Sequence, residues 1–261
     1  AVREMHAPLA RRLLRAERLF DPVAVHYSQP SIQLAWLFES FADGATWPRR
    51  FSSYEAQHNC HAALRTGLWQ LLREAGWSPQ FVSSAEIEEG ALDARGFTAC
   101  LLPDSFALSE REAEALQAFA ARPGNRLLYT GEPGTFRANG TPRPAARFPA
   151  GTQSVASLVA ALPPPEVRVT TPGSGVSLYR YRSAEGPLFA LEQRQHGQQG
   201  EDVTQSATPS GSGGAVTVTF AYGDPRPLFD LRTGRRVGEG GTARVEVPFE
   251  RPAVLGFGPL R

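Results

Sequence analysis

Hydrophobic positions change their period along the chain, and each change marks a different kind of element. Over residues 1–20, Val2, Met5, Leu9, Leu13 and Phe20 recur at helical spacing, with Arg3, Arg11, Arg12 and Arg15 largely off that face. The spacing predicts an amphipathic connector helix, ended at Asp21-Pro22 because a residue before proline is pushed out of the helical region. Short apolar runs then alternate with helical stretches. Val23–Tyr27, Gln80–Ser83, Phe97–Leu102 and Arg126–Thr130 read as strands, and a run as uniformly apolar as 97–102 is expected where helices cover both faces of a sheet. Helices are expected near 31–41, over 54–75 and from residue 109, where Ser109 and Glu112 stand at capping-box spacing. A short acidic segment occupies 85–92. Strands alternating with helices over 21–150 predict a parallel α/β sheet with right-handed crossovers.

The pattern shifts beyond residue 150. Residues 151–165 end in Leu162-Pro-Pro-Pro165 and read as a stiff linker. Over 166–261 a two-residue period takes over, in Val167–Thr170, Val176–Tyr181, Leu188–Leu191, Val216–Phe220, Val245–Val247 and Ala253–Leu255. Connectors rich in Gly, Ser and Gln separate these strands. The simplest expectation is a small antiparallel β-sandwich.

Charge removes several function classes. Twenty-seven basic residues against 26 acidic leave a net charge of +1, which argues against nucleic acid or an anionic membrane as the main partner. The basic residues are all Arg, so Schiff-base lysine, Walker-A lysine and Ser-Lys chemistry are excluded. No apolar run approaches the length of a membrane span. Cys60 and Cys100 are too few for a disulfide-stapled secreted fold and form no C-x-x-C pair, so neither zinc nor another cofactor is expected. The lone methionine is Met5 and the chain starts at Ala1, as expected of an excised piece. No signal peptide is visible, and a cytoplasmic location is the expectation.

Several segments together carry a family likeness. Val23-Ala-Val-His-Tyr-Ser-Gln-Pro-Ser-Ile32 resembles the first strand and turn of the trimerisation domain of family 42 β-galactosidases, and Gly67-Leu-Trp-Gln-Leu-Leu72 with Phe81-Val82 fits the segment that follows. Cys100-Leu-Leu-Pro-Asp-Ser-Phe-Ala-Leu-Ser109 resembles that domain's third strand and helix start, and Gly131-Glu-Pro-Gly-Thr-Phe136 its fourth-strand exit loop. The tail, Leu228–Gly234 into Pro252–Leu255, resembles the small β domain that ends those enzymes. The resemblance implies a flavodoxin-like sheet related to class I glutamine amidotransferases and used for assembly, followed by an accessory β domain. It also implies a trimer. The (β/α)₈ barrel that carries the catalytic glutamates in that family has no counterpart in this sequence. A retaining glycosidase needs two carboxyl groups about 5–5.5 Å apart, and no pair here can be assigned that role.

Individual residues admit a chemical and a plainer reading. Cys100 lies inside an apolar strand without an elbow glycine, which favours a core thiol over an amidotransferase-like nucleophile. His58 and His61 share a helix face and could bind a metal with Glu55, against the plainer reading of a solvated or interface face. Ser28 follows a strand and precedes a helix, but without G-x-S-x-G glycines a helix cap outranks a nucleophile. Trp47, Arg49, Arg50 and Tyr54 form an aromatic and basic insertion suited to stacking on a carbohydrate or to a subunit interface. Ligands of open α/β sheets gather at the carboxyl ends of strands, where Ser28, Gln29, Asp104, Ser105 and Glu132 are expected. Two functions follow: the non-catalytic assembly region of a β-galactosidase-like glycoside hydrolase, or a free-standing carbohydrate-binding or assembly protein.

Overall fold

Uniformly apolar strands need cover on both faces, and the computed structural model, which describes residues 7–43, 60–151, 154–171, 174–193 and 214–258, shows how this chain supplies it. Strand β2 (Val23–Tyr27) lies inside a four-stranded parallel sheet between β3 (Gln80–Ser83) and β4 (Ala99–Leu102), with β6 (Arg126–Tyr129) beyond β4, while β5 (Ala107–Leu108) and β7 (Phe136–Arg137) form a separate parallel pair. Side chains alternate across the four-stranded sheet. Val23, Val25, Ala99 and Leu101 meet Leu68 and Leu72 of helix α3 (Cys60–Glu74) and Leu158 of α7 (Val155–Ala160). Ala24, Val82, Cys100 and Leu102 face the other way, toward Ile87 of α4 (Ser84–Glu88), Leu92 of α5 (Ala91–Ala94) and Leu116 and Phe119 of α6 (Glu110–Ala120). The result is a three-layer α/β/α unit. Val25 is fully buried in its core, so Val25→Ala is expected to cost about 2 kcal/mol in a denaturant melt. A cost near zero would contradict a strand covered on both sides.

Local signals set the boundaries. Ser109 caps α6, its Oγ accepting from the Glu112 N–H at 3.0 Å while the Glu112 carboxylate accepts from the Ser109 N–H at 3.1 Å. Ser83 and Glu86 repeat this capping box at α4, inside the acidic segment. Helix α2 (Gln29–Asp43) starts two residues before the predicted 31. The predicted linker holds α7 instead, whose Leu158, with Leu162, seals one face of the parallel sheet.

The expected connector helix also divides. Among the described residues of that stretch, Pro8–Leu14 is helical (α1), and Glu17–Leu19 is a strand, β1, paired antiparallel with β9 (Val176–Ser183). Leu9 of α1 packs with Leu188, Leu231 and Val254 on the antiparallel sheet, with Leu13 against the same cluster, so these two positions of the expected stripe cover that sheet.

The expected sandwich is, among the described residues, one nine-stranded sheet. Besides β1 and β9 it contains β8 (Arg168–Val169), β10 (Gly186–Gln193), β11 (Val216–Ala221), β12 (Leu228–Asp230), β13 (Arg236–Glu239), β14 (Thr242–Val247) and β15 (Ala253–Gly256), in the order β1-β9-β10-β15-β12-β13-β14-β11-β8. The short strands β12 and β13 bond the β15 side to the β14 side, so the ladder curls without breaking in two. Its inner face closes on itself: Val176, Leu178, Phe189 and Leu191 meet Val218, Phe220, Val245 and Val247.

Arginine and aromatic rings join the two units. The Arg18 guanidinium lies 4.8 Å from the Phe20 ring centre and 5.1 Å from that of Tyr179, whose ring also carries Arg73 of α3 at 4.5 Å. Beside them Asp21 pairs with Arg180 and accepts the Ser78 N–H at 2.6 Å. Stacked guanidinium suits this junction because it keeps its charge hydrated at the edge while burying a flat face.

Candidate functional site

Next to the last position of strand β2 stands His26, a polar side chain in an otherwise apolar run, and it is fully buried. Its Nδ1 lies 2.9 Å from the Oγ of Ser105, and its Nε2 lies 2.7 Å from Oε1 of Glu112 and 3.3 Å from Oγ of Ser84. Glu112 is also fully buried and Ser105 nearly so. One carboxyl group therefore serves two elements: Oε2 caps α6 and Oε1 meets β2. With Nε2 protonated toward Ser84 Oγ, the Ser105 hydroxyl donates to Nδ1, while Glu112 Oε1 lies close to the ring without a hydrogen-bond partner of its own. The three side chains are close to one another and closed to solvent, but the carboxylate makes no hydrogen bond to the imidazole, so they do not form a serine–histidine–carboxylate relay.

The turn that follows β4 is strained. Asp104 has φ 51°, the one non-glycine residue in the left-handed region among the described residues. Its main chain is over-determined: the Asp104 N–H donates to Thr130 Oγ1 at 2.9 Å, the Phe106 N–H to the Asp104 carbonyl at 3.0 Å and the Gly134 N–H to the Ser105 carbonyl at 3.3 Å. Burial alone raises the pKa of its carboxyl group. Gly131 lies against that carboxyl: a Cβ there would fall 2.5 Å from Asp104 Oδ1.

His61 of α3 lies beside this turn, its ring against the Asp104 main chain and edge-on to Phe106 at 6.4 Å. It is 1% exposed, and neither ring nitrogen has a hydrogen-bond partner. Burial, then the nearby Arg65 and His26, lower its pKa to about 4. Arg65, four residues along the same helix face, lies over the Tyr27 ring at 4.8 Å and keeps Nη1 buried without a partner.

Of the residues expected from sequence, Ser28, Asp104 and Ser105 come together at the carboxyl ends of β2 and β4. Ser28 is a cap: its buried Oγ accepts the Ser31 N–H at 3.3 Å and donates to the Ala107 carbonyl at 3.1 Å. Gln29 opens α2 and is exposed, as is Glu132 in the loop after β6. Trp47, Arg49, Arg50, Tyr54 and His58 lie outside the described residues, as does the Cys60 side chain. Cys100 is a free thiol, fully buried, and burial raises its pKa, so it is no poised nucleophile. Among the described residues no three His, Cys, Asp or Glu side chains converge as a metal site. No helix of the described residues is long and apolar enough to cross a membrane.

Sequence reasoning missed His26 and the second role of Glu112. The signal for His26 was a lone polar residue in Val23-Ala-Val-His26, which an apolar strand tolerates only when its nitrogens are met. Glu112 was legible as a cap but not as a partner to β2. A further cleft of about 380 Å³ lies between the units, lined by Glu74, Arg168, Thr170, Thr171 and Ser174.

No family model matches the chain, and no curated protein sequence matches it. Solved structures do. A β-galactosidase from Bacillus circulans sp. alkalophilus superposes with a TM-score of 0.52 at 10% identity, over 90% of this chain and 41% of that one. Gan42B, a GH42 β-galactosidase, superposes with a TM-score of 0.52 at 9% identity, over 90% of this chain and 40% of that one. A catalytic mutant of Gan42B from G. stearothermophilus gives 0.50 at 10% identity with the same shares. The chain thus spans about 40% of the length of the structures it resembles. At this identity the likeness shows fold.

Proposed function

We propose that this chain is the non-catalytic assembly and accessory β region of a β-galactosidase-like glycoside hydrolase: a flavodoxin-like trimerisation unit over 21–150 and an antiparallel unit over 166–261. The observation that carries the reading is the span of the match. Nine tenths of this chain, and so both units, superposes on about 40% of the length of these β-galactosidase structures. Strand order supports the flavodoxin-like assignment, because the second, first, third and fourth parallel strands lie side by side in that sequence. The buried Cys100 thiol argues against retained amidotransferase chemistry.

Assembly needs an apolar surface, and α2 offers one. Leu37 is 51% and Phe38 49% exposed, with Phe38 backed by Phe106 and Phe136 at 6.1 and 5.5 Å. Trp47, Arg49 and Arg50 follow this helix in sequence and match the residue preferences of interfaces. A trimer is expected in sedimentation equilibrium at tens of micromolar, with dissociation on Trp47→Ala and on Leu37→Glu. A strictly monomeric chain up to its solubility limit would overturn the reading.

A further inference from the structure

We propose that His61 makes the aromatic face of α2 acid-sensitive: in mild acid its buried ring is expelled with the first turn of α3, Phe106 loses its support, and self-association through Leu37 and Phe38 is lost. The inference rests on the assembly reading and adds the control of it.

Ring contacts link the two places. His61 is the second residue of α3 and meets the Phe106 ring edge-on at 6.4 Å. Phe106 in turn packs on Phe38 at 6.1 Å and on Phe136 of β7 at 6.0 Å, and Phe136 on Phe38 at 5.5 Å. Two rings thus carry Phe38, and the imidazole supports one of them.

A proton on this imidazole meets opposition on several sides. The ring is 1% exposed, so its charge would be stripped of water. A cation in the first turn of a helix opposes the macrodipole. Arg65 already brings a positive charge to the same helix face, and His26 of β2 adds to it. The acid beside the ring gives no relief. Burial raises the pKa of the Asp104 carboxyl group, so it takes up a proton of its own as the pH falls. The main chain at Asp104 and at His61 favours the charged ring but is outweighed. Glu112 lies beyond His26, 2.7 Å from its Nε2. Residues 29–38 of α2 and all of α7 are uncharged, and β9 meets α3 at its far end, where Arg73 covers Tyr179 and Arg180 pairs with Asp21.

The folded chain therefore keeps His61 neutral down to about pH 4, whereas an expelled ring takes its proton near 6.5. Above 6.5 the closed arrangement is fully favoured. Below it the open one gains about tenfold with each pH unit, until the pH reaches about 4.

The test follows the wild type, His61→Gln and Arg65→Gln from about pH 7.5 to 4.5, by sedimentation equilibrium at tens of micromolar and by amide exchange. Exchange protection is read at residues 64–67, whose N–H groups bond back to the first turn of α3. Expected in the wild type is a trimer near pH 7.5 that dissociates as the pH falls below 6.5, with protection at 64–67 dropping about tenfold per unit. His61→Gln, which cannot take up the charge, should keep both its association and its protection. Arg65→Gln removes the neighbouring charge and should lose less than the wild type; it carries the test if His61→Gln does not fold. Equal acid sensitivity of the wild type and either variant would overturn the proposal, as would wild-type association unchanged down to about pH 4.5. Both of those results leave the assembly reading standing. A chain that is monomeric at every pH overturns the two together.

Discussion

Glu112→Ala is expected to destabilise the protein by about 3–5 kcal/mol in a denaturant melt at neutral pH, more than most single core truncations. Two losses coincide. The Ser109 N–H gives up the 3.1 Å bond that closes the α6 capping box, worth about 1 kcal/mol. His26, with no exposure at all, keeps its Ser84 Oγ contact at 3.3 Å but loses the carboxylate 2.7 Å from Nε2, and truncating the fully buried side chain leaves a cavity that costs about 2–4 kcal/mol. Glu112→Gln separates these losses. Its amide oxygen can still accept from Ser109, and its side chain fills the same buried space beside His26. The glutamine variant should therefore retain at least half of what alanine loses. A cost below about 1 kcal/mol for Glu112→Ala would show that the β2–α6 contact contributes nothing net.

That pair also shows what a single sequence can reveal. Residues 23–27 were legible as a strand because a buried parallel strand is mostly apolar on both sides, and the bounds of both 23–27 and the half-exposed edge strand 80–83 agree with the structure. The α6 start was legible because a capping box is local chemistry over four residues. Elements that depend on distant partners were not. Glu17–Leu19 reads as part of a helix until Arg180–Arg182 of β9 is beside it, and Arg236–Glu239 has little strand character without β14. The same holds at the strand ends: Ser28, Asp104 and Ser105 could be placed by topology. His26, 86 residues from Glu112, could not be paired with it by spacing. The left-handed φ of Asp104 has no signal in Pro103-Asp104-Ser105 that separates it from an ordinary turn.

His61 carries the second large expectation, a loss of about 3 kcal/mol of stability as pH falls from 6.5 to 4. The ring is buried on α3, and its pKa is lowered from 6.5 to about 4 by burial first and by Arg65 and His26 second. Between those values the unfolded chain binds a proton at residue 61 that the folded chain refuses, so unfolding gains free energy with each step down in pH. Above 6.5 both states are neutral and the stability is fully present. Below about 4 both are protonated and the dependence flattens. At 1% exposure solvent screening takes little from the effect. Other groups titrate over the same range, since Glu86 has its carboxyl pKa lowered by Ser83 and also favours the fold above its ordinary pKa, whereas Asp104, raised by burial, acts in the opposite sense. The His61 share is therefore read as a difference. Chemical-denaturation curves of the wild type and of His61→Gln, taken between pH 7 and 4, should diverge by about 3 kcal/mol, with the variant nearly flat between pH 6.5 and 5. Parallel curves would mean that the imidazole is hydrated in solution and that the α3 face beside Asp104 is open.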